Sequence, residues 1–298
     1  MLPHIYLLIS AFLLALGAVL AKWFLSGGSG SGMMQWHPLP FLMVQLMGSM
    51  VLLLGTCLIS GDRPGLRSAF LILPGIVAGA GSICTILALH FMTASEASLI
   101  FATQPVIVLV LAWALLSERV SLATILCVFG AVFGVVGIVQ TGAEDGSINR
   151  SLGIGFAIAS TTFAGLYVVW MRHRSGVEAP ALALLIIQSV ALLMASVAWI
   201  IAGLPGGMRA SIPSLTAAAF TGAIYYGAAF LFYLFGMAKV EASKAGIYLS
   251  LVPVFTVGLA YVFLDELLTR GQMAGAVLIL VSVGCVAILS IRQTRAGA

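Results

Sequence analysis

The stretch A-S-E-A-S-L-I-F-A-T-Q-P-V-I-V-L-V-L-A-W-A-L-L-S-E, residues Ala94 to Glu118, decides the fold of this chain. Positions 97 to 117 carry no charge, a run of 21 residues. About 20 apolar residues in a helix cross the hydrocarbon core of a bilayer, so the stretch predicts a transmembrane helix. Ser95 is a candidate N-cap, Glu96 has the charge that a helix N-terminus favours, and Pro105 removes one backbone donor near the middle.

The same pattern returns 148 positions later, in Ala242 to Glu266: A-S-K-A-G-I-Y-L-S-L-V-P-V-F-T-V-G-L-A-Y-V-F-L-D-E. Proline and the terminal glutamate fall at identical places in both copies. The chain is therefore interpreted as a duplication, with one repeat over residues 1–140 and a second over 148–298. The segment 141–150 (TGAEDGSINR), which lacks strong hydrophobic residues, marks the junction.

Composition indicates that the solvent of this chain is a lipid bilayer. Hydrophobic residues make up 62% of the sequence and charged residues 7%, and the mean hydropathy is +1.18. A soluble domain cannot hide so much apolar surface, so we predict an all-α, polytopic membrane protein. The apolar runs predict ten transmembrane helices, at about 3–25, 39–59, 68–91, 94–118, 121–140, 152–171, 180–203, 213–237, 243–264 and 270–291.

Several classes of protein are excluded by what the sequence lacks. The four cysteines lie apart within apolar runs, without a CxxC pair, which is typical of small core residues and not of a metal site or disulfide frame. The net charge is +4, but the Lys and Arg residues form no continuous basic run, so no nucleic-acid partner is expected. Gly27-Gly28-Ser29-Gly30 fits an intramembrane serine protease pattern, but it lies in a flexible Gly/Ser segment (26–32) without a positioned base. We expect no enzymatic activity and no cofactor.

Lys and Arg in the loops predict the orientation. With the N-terminus in the cytoplasm, nine of the 13 basic residues lie on the cytoplasmic side and four on the other. This bias favours cytoplasmic placement of both termini, in the inner membrane of a bacterial-type cell. Because each repeat contains an odd number of helices, the second enters the membrane inverted. Inverted repeats are a common design of transporters, in which one repeat moves against the other around a midplane site.

These features resemble the drug/metabolite transporter superfamily in its ten-helix, EamA-type form. The resemblance rests on A-S-E-A-S with Pro105 and Glu118 in the first repeat, and on A-S-K-A-G with Pro253 and Glu266 in the second. Within the superfamily the chain looks most like the bacterial aromatic amino-acid exporters. The resemblance implies that the first four helices of each repeat surround a central cavity, with the fifth helices outside as braces.

The function expected is export of small neutral or zwitterionic solutes, above all hydrophobic or aromatic amino acids, by alternating access around a midplane cavity. The apolar spans contain no Lys, Arg, Asp or Glu near their middles, and a phosphorylated or permanently charged solute would need such a partner. Efflux of lipophilic drugs or other metabolites, and lipid flipping, stay open as alternatives. The partners expected are the small-molecule substrate and the bilayer, with the monomer as the functional unit.

Half-polar and aromatic residues near the midplane are the candidate substrate contacts. They are Phe12, Gln45, Ser82, Phe101, Phe163, Tyr167, Gln188, Tyr225, Tyr226 and Tyr248. The alternative is that most of these polar groups satisfy one another across helices. Pro105 and Pro253 are candidate helix breaks or hinges, since a broken helix offers free carbonyls to a solute; the alternative is a tolerated kink.

Two expectations concern the carboxylates. Glu118 and Glu266 are predicted to cap the helices that follow them, which begin near Ser121 and Thr269. Because the midplane lacks an acid, the simplest mechanism is facilitated diffusion, and coupling to protons through Glu96 or His90 is the competing hypothesis.

Overall fold

The computed structural model describes residues 2–27, 35–61, 70–116, 122–141, 148–172, 179–204, 211–237 and 248–296. Within these ranges the protein is all-helical and has no strand. The helices are α1 Leu2–Leu25, α2 Pro38–Ser60, α3 Ile72–Phe91, α4 Ala94–Phe101, α5 Gln104–Leu116, α6 Leu122–Thr141, α7 Ile148–Arg172, α8 Pro180–Ile201, α9 Ile212–Gly222, a π-helical segment Ala223–Ala229, α10 Phe230–Met237, α11 Val252–Leu264 and α12 Arg270–Ala296.

Ten apolar helical segments account for the described residues, as predicted from the sequence. Six are long and apolar enough to cross a bilayer, and four are shorter apolar helices of 10–17 residues. Large hydrophobic side chains cover the outer surface, among them Val51, Ile59 and Ile212. A soluble protein would expose few such side chains together, whereas lipid solvates them without cost. The protein is therefore a multi-pass membrane protein.

The helix predicted over 94–118 is not continuous. It divides into α4 and α5 at Ala102 and Thr103, two residues before Pro105. Proline lacks the amide proton for the intrahelical bond and its ring collides with the preceding turn, so α4 ends and Pro105 enters the first turn of α5. The N-cap of α4 is Thr93, whose hydroxyl accepts from the Glu96 amide at 3.1 Å, and not the predicted Ser95.

A second irregularity lies in the helix predicted over 213–237. The structure keeps the span but inserts the π-helical segment Ala223–Ala229 between α9 and α10. A π-turn accommodates one extra residue in the helix and occurs mostly at functional sites. This segment carries Tyr225 and Tyr226, both candidate substrate contacts.

Helices of the N-terminal half (α1 to α6) pack mainly on helices of the C-terminal half (α7 to α12). The most extensive pair is α6 with α12, followed by α3 with α7 and α2 with α8. Exchanging the halves converts one set of pairs into another: α3 packs on α8 as α2 packs on α9, and α5 packs on α7 as α1 packs on α11. The core is thus formed between the halves and not within each.

Glycines allow the closest of these approaches. A Cβ placed on Gly134 of α6 would lie 2.8 Å from the Gly275 carbonyl oxygen of α12, and one on Gly275 would lie 2.6 Å from the Gly134 oxygen. On α3, a Cβ at Gly75 would meet Val190 at 2.9 Å. The Gly-x-x-x-Gly spacings of the sequence therefore serve close helix packing, as small residues commonly do in membranes.

Substitution at the α6–α12 contact tests this packing. Gly275→Val should lower the free energy of unfolding by about 1–3 kcal/mol, because the side chain must displace backbone that has no room to move. Gly284→Val in the same helix is the matched control, since a Cβ there meets no atom within 4 Å. Melting midpoints of both variants in one detergent give the comparison. Equal midpoints would contradict the packing role.

Candidate functional site

A buried glutamine on α2 joins the two halves near the middle of the bundle. Gln45 is 1% exposed, and its Nε2 donates to the Thr221 hydroxyl of α9 at 3.0 Å. The backbones of α2 and α9 approach closely here, because Gly48 faces Ala219 and Gly222 faces Gln45. The amide is thus held against the partner helix by both a hydrogen bond and the lack of an intervening side chain.

A second glutamine makes the corresponding contact from α8. Gln188 is 4% exposed; its Oε1 accepts from the Ser49 hydroxyl of α2, and its Nε2 donates to the Tyr226 carbonyl. The Tyr226 carbonyl belongs to the π-helical segment, so the amide of Gln188 satisfies backbone where the helix is irregular. These pairs are side-chain contacts between helices, which is the alternative left open for such residues from the sequence.

Aromatic side chains lie beside this polar layer. The rings of Tyr225 and Tyr226 meet edge-to-face with centroids 4.7 Å apart, and the Tyr226 hydroxyl is hydrogen-bonded to Ser82 of α3. Tyr225 fits against α1 because Gly17 leaves space: a Cβ there would lie 2.6 Å from the Tyr225 Cβ. Three of the candidate contacts, Ser82, Tyr225 and Tyr226, are therefore brought together from opposite halves.

Three further candidates are half-buried on neighbouring helices. Phe163 of α7 lies against α3, where a Cβ on Gly81 would be 3.3 Å from its Cβ. Tyr167, one turn later, lies near Tyr233 of α10. Phe101 ends α4 and packs on the main buried core.

Two candidates lie apart from this group. Phe12 is 42% exposed, and its ring meets that of Phe255 at 5.8 Å. The Tyr248 hydroxyl is hydrogen-bonded to His4 Nδ1 at 3.0 Å, near the start of α1. Whether any of these residues contacts a substrate remains a prediction.

Both candidate hinge prolines stand in the first turn of a helix. Pro105 follows the interruption at residues 102–103, and Pro253 follows the turn at 250–251. The first turn is the position at which a missing amide proton costs least. The sequence-equivalent prolines thus begin α5 and α11.

A group of charged and polar side chains lies at one end of the bundle, and we call it the charge cluster. Its members are Lys22, Glu96, Arg150, Glu266 and Gln272. The Glu266 carboxylate accepts from the amides of Ala94 at 2.9 Å and Ser95 at 3.0 Å, and from the Ser95 hydroxyl at 2.8 Å. The prediction that Glu266 caps the helix following it is wrong. It caps α4, in the other half, while Thr269 and Gln272 cap α12 reciprocally.

The second carboxylate of the cluster, Glu96, belongs to the N-terminal half and is bound by side chains of the C-terminal half. Glu96 Oε1 accepts from Arg150 Nη2 at 2.7 Å and from Gln272 Nε2 at 2.6 Å. Arg150 also donates to the carbonyls of Val139 and Ile138, which end α6. Charge-assisted bonds of this kind are about twice as strong as neutral ones.

Lysine and histidine complete the surroundings. Lys22 Nζ donates to the Leu89 carbonyl at 3.0 Å and feels the charges of Glu266 and Glu96. The His90 ring packs on Phe91, and its Nδ1 is buried with no hydrogen-bond partner among the described residues. Burial lowers the pKa of His37, which precedes α2, so this side chain is neutral at pH 7. Glu118 lies outside the described residues.

The sequence identified Glu96 and Glu266 but not their partners. Thr269-x-x-Gln272 fits a capping box and was recognisable as a helix start. Arg150 lies 54 positions from Glu96, and no local pattern links the two. Thr221 and Ser49, the partners of the glutamines, were likewise hidden among the many small polar residues of the spans.

Comparison with known proteins identifies the family of this chain. The model of the EamA-like transporter family matches residues 1–140 and 151–288. The chain belongs to this family. The protein is thus a membrane transporter, and the expected drug/metabolite transporter resemblance is confirmed at the family level.

The relatives are transporters that carry no more detailed description. The uncharacterized transporter YetK of Bacillus subtilis (strain 168) is 26% identical over 234 residues, 74% of this chain and 69% of that protein. The uncharacterized transporter YvbV of the same organism is 26% identical over 200 residues, 65% of this chain and 63% of that protein. A crystal structure that is 18% identical matches 94% of this chain and 98% of its own with a TM-score of 0.61, which shows the fold alone.

Removal of the cap on α4 should destabilise the transporter. In Glu266→Ala, two amides and a hydroxyl lose their acceptor, and we expect the free energy of unfolding to fall by about 1–3 kcal/mol. Asp265→Asn is the matched control, because that neighbouring carboxylate is exposed and asparagine tolerates the left-handed backbone conformation of this position. Thermal unfolding of both proteins in detergent measures the difference. An equal loss in the two would contradict the capping role.

Proposed function

We propose that this family member exports neutral or zwitterionic solutes with apolar side chains, hydrophobic and aromatic amino acids above all. The single observation that carries the proposal is the chemistry of the middle of the bundle. There the contacts between halves are amides, hydroxyls and aromatic rings, contributed by Gln45, Gln188, Ser82, Tyr225 and Tyr226. Such a lining binds an aromatic side chain by stacking, and its uncharged groups suit a solute without net charge.

The transport mechanism that we propose is alternating access between two inverted halves. The exchangeable helix pairs support a pseudo-two-fold relation between the halves, and the 148-position repeat supports the same relation in sequence. An odd number of helices per half makes the axis lie in the membrane plane. The bias of Lys and Arg supports an inner-membrane location with both termini in the cytoplasm.

The proposed movement concerns the surfaces between the halves. Glycine contacts hold α6 against α12, so this pair serves as the fixed side of the bundle. The glutamine contacts lie between the remaining helices, and amide-to-hydroxyl bonds can be exchanged for bonds to a solute at little net cost. A solute that inserts there replaces the contacts that it disrupts.

A flux assay with purified protein in liposomes tests the substrate class. We expect release of radiolabelled phenylalanine, tyrosine or leucine down their gradients, and none of a sugar phosphate, because no described midplane residue neutralises its charge. Transport of lipophilic dyes without amino acids would favour the alternative of drug efflux. Sugar phosphate flux would contradict the proposal. Because the midplane lacks an acid, an imposed pH gradient alone should not drive accumulation.

Alanine variants of two tyrosines test the site. Tyr226→Ala should lower amino-acid flux by at least about tenfold. The variant removes the aromatic ring that packs on Tyr225 and the hydroxyl group that is hydrogen-bonded to Ser82. Tyr261→Ala is the matched control: this ring is 58% exposed on the outer surface of α11, and its loss should leave flux within about twofold of the parent. Equal flux in the two variants would remove Tyr226 from the site.

A further inference from the structure

Two carboxylates of the charge cluster cross between the halves in opposite directions. Glu266 of the C-terminal half holds the first amides of α4, and Glu96 within α4 is held by Arg150 and Gln272 of the C-terminal half. At this end of the bundle α4 is therefore attached to the other half by charged groups. These charged contacts act in addition to the packing of α4 on helices of the C-terminal half.

The helix held in this way is a short, separate body. α4 contains eight residues and is preceded by the extended residues Met92 and Thr93. The interruption at residues 102–103 separates it from α5. Changes in a few backbone torsions at those two places would move α4 without unwinding it, which is how hinges in domain and lid motions operate.

The ion pair within the cluster lies at the border between protein and water. The Glu96 side chain is 4% exposed and the Arg150 side chain 22% exposed. A buried carboxylate cannot lose its cation unless water or another donor replaces it. Separation of the pair therefore requires entry of water beside α4. The two events are coupled.

The groups that face Glu96 fit such a contact. Lys22 of α1 and Glu266 add one charge of each sign nearby, and Gln272 of α12 adds a neutral donor. Lys22, Arg150, Glu96 and Glu266 together are balanced in charge. Neither the paired nor the separated arrangement leaves net charge in the bundle, and Lys22 and Gln272 remain near Glu96 when Arg150 moves away.

We infer that the Glu96–Arg150 pair is a gate of the transporter: it closes this end of the solute pathway when paired and opens it when α4 moves away. Both residues are positioning residues, which act through α4 and do not contact the solute. The inference rests on the proposed alternating access but not on the identity of the substrate.

Cysteine accessibility tests the gate without any substrate. The reporter is Ser98→Cys in a background where the four native cysteines are replaced. Ser98 is buried and lies one helical turn beyond Ser95, on the face of α4 that meets Glu266. A membrane-impermeant maleimide is applied to right-side-out and to inverted vesicles, and the labelling rate is measured. Ser26→Cys, an exposed position that follows α1, reports that the reagent reaches this end.

The variants are Glu96→Gln, Arg150→Gln and the double variant. Each single variant should label about tenfold faster than the parent, from one side of the membrane only, because the closed state loses its ionic bond. The double variant should label no faster than either single variant, since both remove the same interaction. Glu96→Asp, which keeps the charge, should label like the parent. Arg270→Gln, at an exposed cation of the same end, is the control.

Each outcome of the labelling experiment either supports or contradicts the gate. Labelling within about twofold of the Arg270→Gln control in all variants would mean that the pair is a static attachment and would overturn the gate. If one single variant does not reach the membrane, the double variant, which leaves no charge unpaired, carries the comparison. Faster labelling together with no amino-acid flux would support the gate and contradict the substrate. Amino-acid flux with unchanged labelling would contradict the gate and support the proposed substrate class.

Discussion

The carboxylate of Glu266, bound to the first amides of α4, satisfies the requirement on which the rest of this structure depends. Lipid offers no hydrogen-bond partner, so the backbone amides left free at the start of a helix must find partners within the protein. The first turn of α4 leaves such amides free, and the opposite half supplies their acceptor. The start of α4 and the charge cluster therefore depend on each other, and the first turn of α4 is not satisfied by its own half alone.

Contacts between the halves differ in how readily they can separate. Between α6 and α12, backbone meets backbone at Gly134 and Gly275, and separation would expose bare helix surface without any compensating bond. Between α2 and its partners, the bonds of Gln45 and Gln188 can be replaced by those of a polar solute. At the charge cluster, separation demands water. This difference between the contacts is the basis of the movement that we propose, in which the α6–α12 side stays fixed.

Hydropathy and repetition sufficed to predict most of the architecture, since the length of an apolar helix is set by the bilayer and each apolar run is local information. The ten apolar segments follow from that, and the family follows from the motif that both repeats share. The interruption before Pro105 was visible in the sequence as a weakening of the helix, but the attachment of α4 to the other half was not, because Glu266 lies 172 positions from Ala94. For the same reason Arg150 was missed, because the Glu96–Arg150 pair exists only after the halves meet.

The π-helical segment Ala223–Ala229 determines which face of the following helix, α10, points to the interior of the bundle. One extra residue per π-turn means that everything after it is rotated by about 100° relative to an uninterrupted α-helix. Tyr233 of α10 follows this segment, so the direction in which its side chain points depends on that rotation. A relative that lacks one residue here would keep every hydrophobic position of the span, yet it would turn a different face of α10 toward the interior. Single-residue deletions, which appear trivial in an alignment, are thus a route by which this fold acquires a new lining.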